Sequence, residues 1–210
     1  MYVSAGAHGA LTEHLRNRGA QICVIQPDER VGPLVRSHPD IFICKTNTGA
    51  VFADRSRLGP VYPQDIPYNA LFLDRYAVHN LKYSAPEVLA AADREGLQPV
   101  HVKQGYTKCS CVYVTGSAVI TADEGIYAVL ASLGDVDVLK VRPGFVLLPG
   151  ADTGFLGGAS GKAMGELLFN GDLDTHPDAA AIRAFCEDKE VAVRDFPGLP
   201  LTDIGSVIEV

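Results

Sequence analysis

The chain lacks any cluster of lysine and arginine, any long apolar run, any regular cysteine spacing and any glycine fingerprint at a strand-to-helix turn. Each absence removes a class of function. With a net charge of −7 and no clustered base, nothing is available to neutralise a phosphate backbone, so nucleic acid is not an expected partner. No segment approaches the roughly 20 apolar residues that a membrane span requires. Met1–Ala10 also lacks a basic stretch followed by an apolar one, so no membrane partner is expected and the protein reads as cytoplasmic. The five cysteines, Cys23, Cys44, Cys109, Cys111 and Cys186, are odd in number. Several lie in apolar patterns where a free thiol acts as a small hydrophobe in a reducing compartment. Without a glycine fingerprint, an open doubly wound sheet holding a nucleotide is disfavoured.

What the sequence does contain is repetition. Of its 210 residues, 47% are hydrophobic and 20% charged, enough to bury one core in a single domain spanning 1–210. A short amphipathic helix, a stop and a β-branched strand recur four times, as Leu11–Gly19 into Gln21–Gln26, Ala85–Gly96 into Leu97–Lys103, Glu124–Gly134 into Val136–Val141, and Asp178–Glu190 into Val191–Phe196. Three matching segments end on an acid, at Asp54, Asp123 and Asp172. In Glu124–Gly134 the apolar positions Ile126, Val129, Leu130 and Leu133 fall at three- and four-residue intervals, which predicts one half-buried helix. Ser84 is expected to cap the second helix and Thr175-His176-Pro177-Asp178 to open the last.

The longest interval between repeats holds a strand pair, Ile41–Lys45 with Ala50–Ala53, then a strand Ala70–Ala77, and the proline-rich stretch Gly59–Pro67 where a helix would stand. It reads as two modules, one without its helix. The whole is then about five ββαβ modules. Each leaves an apolar strand face that only a neighbour can cover. The terminal strand Ser206–Val210 can pair with Met1–Ser4, closing the row into a ring.

A closed α/β ring of five ββαβ modules resembles the pentein propeller of the guanidine-modifying enzymes and the ribosomal anti-association factor, in an uncharacterised bacterial branch. The resemblance implies a ligand in the axial cavity. Enzymes of that group use a cysteine near the C-terminus, a histidine and carboxylates that grip a guanidinium. Here Leu201–Ser206 holds no cysteine and Cys186 lies on an apolar helix face, so the nucleophile would come from another module.

The densest polar stretch, His101–Cys111, joins two modules and carries Lys103, Tyr106, Lys108 and Cys109. Neighbouring cations stabilise a thiolate, which makes Cys109 the candidate nucleophile. His38 and Asp40, rigidified by Pro39 between them, form a candidate acid and base pair. The glycine-rich loop Gly154–Lys162 fails as a phosphate loop, because Leu156 and Ala163 stand where that motif needs glycine and a hydroxyl. Its Ser160 remains a candidate ligand contact. Asp54, Asp123, Asp172 and Asp203 would form a carboxylate ring for a cationic group if they faced one axis. Cys109 with Cys111 is too closely spaced for structural zinc, and His8 and His14 read as solvated.

These readings combine into a small-molecule site with Cys109 attacking the substrate, His38 and Asp40 exchanging protons, and Lys103, Tyr106, Lys108, Ser160, Asp123 and Asp203 binding it. The expected ligand is a small cationic or amide-bearing nitrogen compound, with no cofactor and no metal, in a cysteine-dependent hydrolase or amidinotransferase-like enzyme. A non-catalytic protein using the same ring to present an interaction face is the alternative.

Overall fold

A computed structural model describes all residues from Met1 to Val210 as a mixed α/β protein of five small sheets and five helices. In chain order, β1 (Tyr2–Ser4), α1 (Gly9–Asn17) and β2 (Cys23–Ile25) are followed by α2 (Pro39–Phe42), β3 (Ile43–Lys45) and β4 (Ala50–Phe52). Next come β5 (Leu71–Phe72), β6 (Tyr76–His79), α3 (Pro86–Arg94) and β7 (Gln98–His101), then β8 (Cys111–Thr115), β9 (Ala118–Thr121), α4 (Glu124–Leu133) and β10 (Asp137–Lys140). The last group is β11 (Ser160–Ala163), β12 (Glu166–Phe169), α5 (Ala179–Asp188) and β13 (Ala192–Arg194).

Three of the five sheets share one plan. An antiparallel hairpin, β5–β6, β8–β9 or β11–β12, is extended by a parallel strand that returns after a helix, β7, β10 or β13. The β1–β2 pair is parallel around α1, and β3–β4 is a bare antiparallel pair. No ladder runs from one sheet into the next. Tyr2 does pair with Ile208, donating and accepting backbone hydrogen bonds of 2.7 and 3.0 Å, which sets the two ends of the chain side by side.

The helices form where periodicity and caps agree. In α4 the Asp123 carboxylate accepts from Ile126 N at 2.8 Å, and Gly134, at φ +80°, ends the helix in the left-handed region. Ile126 and Leu130 then pack on Val78, Val100 and Val119. Leu11 and Leu15 of α1 do the same against Val3 and Leu168, and Ile182 and Cys186 of α5 against Leu167 and Phe169. Each such buried Leu, Ile or Phe contributes about 1.5–3 kcal/mol, so tertiary burial, more than propensity, holds these short helices. No helix is long and apolar enough to cross a membrane.

Several local expectations are corrected. Ile41–Lys45 is not wholly a strand, because Pro39 at the first position starts a single helical turn through Phe42. Ala70–Ala77 breaks at Leu73–Arg75 into the β5–β6 hairpin. Between β4 and β5, where no helix is expected, there is only a 3-10 turn, Arg55–Arg57. The cap position of α3 is Ala85, while the Ser84 hydroxyl turns to His79 Nδ1 at 2.7 Å. Asp178 occupies the cap position of α5 without capping it, and binds Arg142 through its carboxylate. His8 and His14 are only partly exposed and each has a protein partner: their Nε2 atoms lie 2.8 Å from Pro200 O and 2.9 Å from Glu166 Oε2.

His79 closes β6 at 1% exposure, with Nε2 also 3.1 Å from Gly105 O, and burial pushes its pKa down to about 4. A base whose folded pKa lies below its unfolded value is protonated first in the unfolded chain. The stability it contributes is therefore complete above pH 6.5 and lost as pH falls toward 4. Urea unfolding of wild type and His79→Gln across that window should show the wild type losing about 3 kcal/mol more than the variant. Parallel pH dependences would refute the assignment.

Candidate active site

Cys109 is placed by a turn, not by a strand. Between β7 and β8 the chain folds back through Tyr106–Ser110, with Ser110 N donating to Tyr106 O at 2.9 Å and Cys111 N to Lys108 O at 3.1 Å. Asn69, wholly buried, fixes this turn. Its Oδ1 accepts from Lys108 N at 2.8 Å and from Cys109 N at 3.2 Å, while its Nδ2 donates to Asp40 O at 3.2 Å and lies 3.4 Å from Cys109 Sγ. One amide thus ties the cysteine turn to the helical turn that carries Asp40.

The thiol points at a carboxylate. Cys109 Sγ donates to Asp40 Oδ2 at 2.9 Å, and Ser206 Oγ lies 2.9 Å from the same oxygen. Lys108 Nζ in turn donates to Ser206 Oγ at 3.0 Å. Near the sulfur stand His38 and Asp203, with all three ligand atoms within 4.8 Å of one another and Nδ1 and Oδ1 3.9 Å apart, too far for a hydrogen bond. Asp203 is held by backbone donors, Phe155 N at 2.9 Å and Gly205 N at 2.9 Å.

The charges here are destabilised by burial. Burial pushes Asp40 up against the partial offset of His38 and Lys108, and pushes Asp203 up to about 6 against the bonds from Phe155 and Gly205. The Cys109 thiol rises well above its ordinary value through burial and the two carboxylates, and His38 falls through burial, so its ring is neutral. In this resting arrangement Cys109 is a neutral thiol beside a basic carboxylate. The thiolate expected from nearby lysines does not form by their proximity: Lys103 is exposed, with its carbonyl bound to Asn80, and Lys108 reaches Ser206.

The sulfur opens onto a cavity of about 420 Å³ lined by His38, Asp65, Tyr106, Phe155 and Asp203 and by apolar residues such as Leu34 and Leu148. Three rings stand along it, with Tyr62 and Tyr106 centroids 5.6 Å apart and Tyr106 and Phe155 6.2 Å apart. Tyr106 donates to Asp65 Oδ2 at 2.6 Å. No lysine or arginine lines it. Lys108 opens instead on a second cavity of about 430 Å³, shared with Lys45 and Lys162.

The chain therefore brings together His38, Asp40, Cys109 and Asp203, with Tyr106 on the same cavity. It does not bring Lys103, Ser160 or Asp123 to them. Ser160 is buried in β11 with its hydroxyl 3.2 Å from Gly157 O, and Asp123 caps α4 and receives Gln104 Nε2 at 3.2 Å. The proposed four-acid ring fails for the same reason. Asp54 and Asp172 cap 3-10 turns, leaving only Asp203 at the site. Asp65, Asn69 and Ser206 were missed. The alternation of polar and apolar residues gives no sign that an asparagine in a loop is wholly buried.

His38, Cys109 and Asp203 also offer nitrogen, sulfur and oxygen donors within 4.8 Å of one another, a set able to hold a metal ion.

The turn Gly205-Ser206 closes the site. Gly205 sits at φ +68° against His38, and Ser206, at φ +70°, is a non-glycine residue held in the left-handed region by its contacts to Asp40 and Gly157 O. A Cβ at Gly205 would collide with His38 Cβ and Cγ. Gly205→Ala should therefore cost about 2 kcal/mol or more and lower the melting temperature. Gly19→Ala, also at positive φ but in open space, isolates the conformational part. Equal losses in the two variants would show that packing on His38 contributes nothing.

A family described as a family of unknown function, DUF6873, matches residues 49–208, which include β4, the Cys109 turn, Asp203 and Ser206. No curated protein matches the chain. With most of its length covered, the chain belongs to the DUF6873 family.

Proposed function

We propose that the chain is a pentein-like ring of five modules, cytoplasmic, whose axial cavity binds a small cationic or amide-bearing nitrogen compound and attacks it through Cys109. Three features support the ring: the shared hairpin-helix-strand plan of three sheets, the bare β3–β4 pair where a module lacks its helix, and the Tyr2–Ile208 pairing of the two ends. Five unpaired cysteines suit a reducing compartment.

The single observation that carries the ligand class is unmet hydrogen-bonding capacity. Of the five buried side-chain polar atoms without a partner, three belong to His38 Nδ1, Asp40 Oδ1 and Asp65 Oδ1. The two carboxylate oxygens are acceptors that are costly to leave unmet unless a donor arrives, and the His38 nitrogen can take either role. Together with three aromatic rings, the Asp65 and Asp203 carboxylates and no lysine or arginine on the cavity, they call for a ligand rich in N–H and carrying positive charge.

In the reaction, the thiol proton passes from Sγ to Asp40 Oδ2, and the sulfur bonds to the electrophilic carbon of the substrate. The carbon–nitrogen bond breaks, and the leaving amine takes the proton from Asp40. Water then attacks the thio-linked carbon, and the sulfur leaves as the regenerated thiol. Asp203 and Asp65 hold the cationic group, and His38, within 4.8 Å of the sulfur, is a neutral ring able to orient the water.

Metal-free protein treated with a small cationic α-haloamidine and with its neutral amide counterpart tests this. Cys109 should react with the cationic reagent at least tenfold faster than with the neutral one, after correction for their rates with free cysteine, and Asp203→Asn should erase the preference. A corrected ratio near one, or labelling confined to the exposed Cys23, would sink the reading. Tight binding of the amidine scaffold with no labelling of Cys109 would favour the non-catalytic alternative.

A further inference from the structure

We propose that His38, Cys109 and Asp203 form a three-ligand site for a thiophilic divalent cation of the zinc type, and that the bound ion masks the Cys109 sulfur. The inference rests on donor geometry and does not require Cys109 to be a nucleophile.

The donor set is of the kind zinc takes, one sulfur, one imidazole nitrogen and one carboxylate oxygen. Tetrahedral coordination at the usual bond lengths places such donors about 3.3–3.8 Å apart. The 3.9 Å between His38 Nδ1 and Asp203 Oδ1 is close to that edge, and all three donors lie within 4.8 Å. Small side-chain rotations would close the set. A second observation points the same way: His38 Nδ1 has no hydrogen-bond partner, although the residue is only 4% exposed. A buried nitrogen without a partner, in a set of donors that includes a thiol and a carboxylate within 4.8 Å, has the capacity to bind a cation.

The surroundings are arranged as a supporting layer. Asp203 Oδ1 is oriented by Gly205 N at 2.9 Å and Oδ2 by Phe155 N at 2.9 Å, and Asn69 Nδ2 lies 3.4 Å from the sulfur. Gly205, without a Cβ, lets the Asp203 segment approach His38. Three protein ligands leave a fourth position open, and the cavity of Tyr106 and Phe155 adjoins it. Binding exchanges the thiol proton, released to solvent, for a metal–sulfur bond, and no electrons move.

The reduced, chelator-stripped protein titrated with Co²⁺ gives a direct readout. One equivalent should produce the near-ultraviolet thiolate charge-transfer band and intense visible bands of a tetrahedral thiolate site, and Zn²⁺ should bleach both. Cys109→Ser should abolish the charge-transfer band, His38→Ala and Asp203→Ala should weaken binding at least tenfold, and Cys23→Ser should leave it unchanged. If those variants do not fold, the wild type still decides: Zn²⁺ should protect Cys109 from alkylation and Mg²⁺ should not. Absence of the charge-transfer band at saturating Co²⁺, its survival in Cys109→Ser, or equal alkylation with and without Zn²⁺ would overturn the site. Selective amidine labelling of the metal-free protein would survive any of these failures, and its own failure would leave the cobalt spectrum untouched.

Discussion

The contact on which the site depends is the 2.9 Å hydrogen bond from Cys109 Sγ to Asp40 Oδ2. A thiol and a carboxylate in the protein interior can share space only with one proton between them, since two buried negative charges at that distance repel strongly in a medium of low dielectric. The rest of the local structure keeps that pair dry and aligned. Asn69 holds the backbone of both partners, Ser206 adds a second hydroxyl to the same carboxylate oxygen, and Lys108 brings the one nearby ammonium to Ser206. Remove the alignment and Asp40 becomes an isolated buried acid.

That alignment is assembled from pieces far apart in sequence. His38 and Asp40 come from the single turn α2, Asn69 from the loop before β5, Cys109 from the turn between β7 and β8, and Asp203 with Ser206 from the segment that leads to the Tyr2–Ile208 pairing. The close approaches need residues without side chains. At Gly157 a Cβ would meet the carbonyls of Cys109 and Cys111, and at Gly158 it would meet the Asp203 carboxylate. The glycine-rich stretch therefore serves as packing around the cysteine turn. Its Gly158 N donates to Cys109 O at 2.8 Å.

How much of this the sequence discloses follows from which forces are local. The helices were legible because apolar spacing and stops are local: Ile126 and Leu130 lie four apart, and Gly134 marks the end. The single turn at Pro39 and the break at Leu73–Arg75 were not, because elements of two to four residues are decided by tertiary contacts. At the site, Cys109, His38, Asp40 and Asp203 could be nominated from chemistry alone. The partner of the thiol could not, since the lysines adjacent in sequence point elsewhere and the acid in contact is 69 positions away. Asn69 and Asp65 carry no local signature at all. Asp123 was misread for the opposite reason, its local role as a helix cap being sufficient to explain it.

Charge balance unites the two proposals. Asp40 and Asp203 are both buried and raised, with Lys108 the common ammonium lowering each. When the Cys109 proton passes to Asp40, negative charge moves from that carboxylate onto the sulfur near Asp203, and when the proton leaves for solvent the cluster gains a further negative charge. A positive charge must then enter from the cavity, either as the nitrogen group of a ligand held by Asp203 and Asp65 or as a divalent ion bound directly to the sulfur. The two compete for the same electrostatic vacancy, so a thiol that waits for a cationic substrate is by the same physics a thiol that a metal ion can silence.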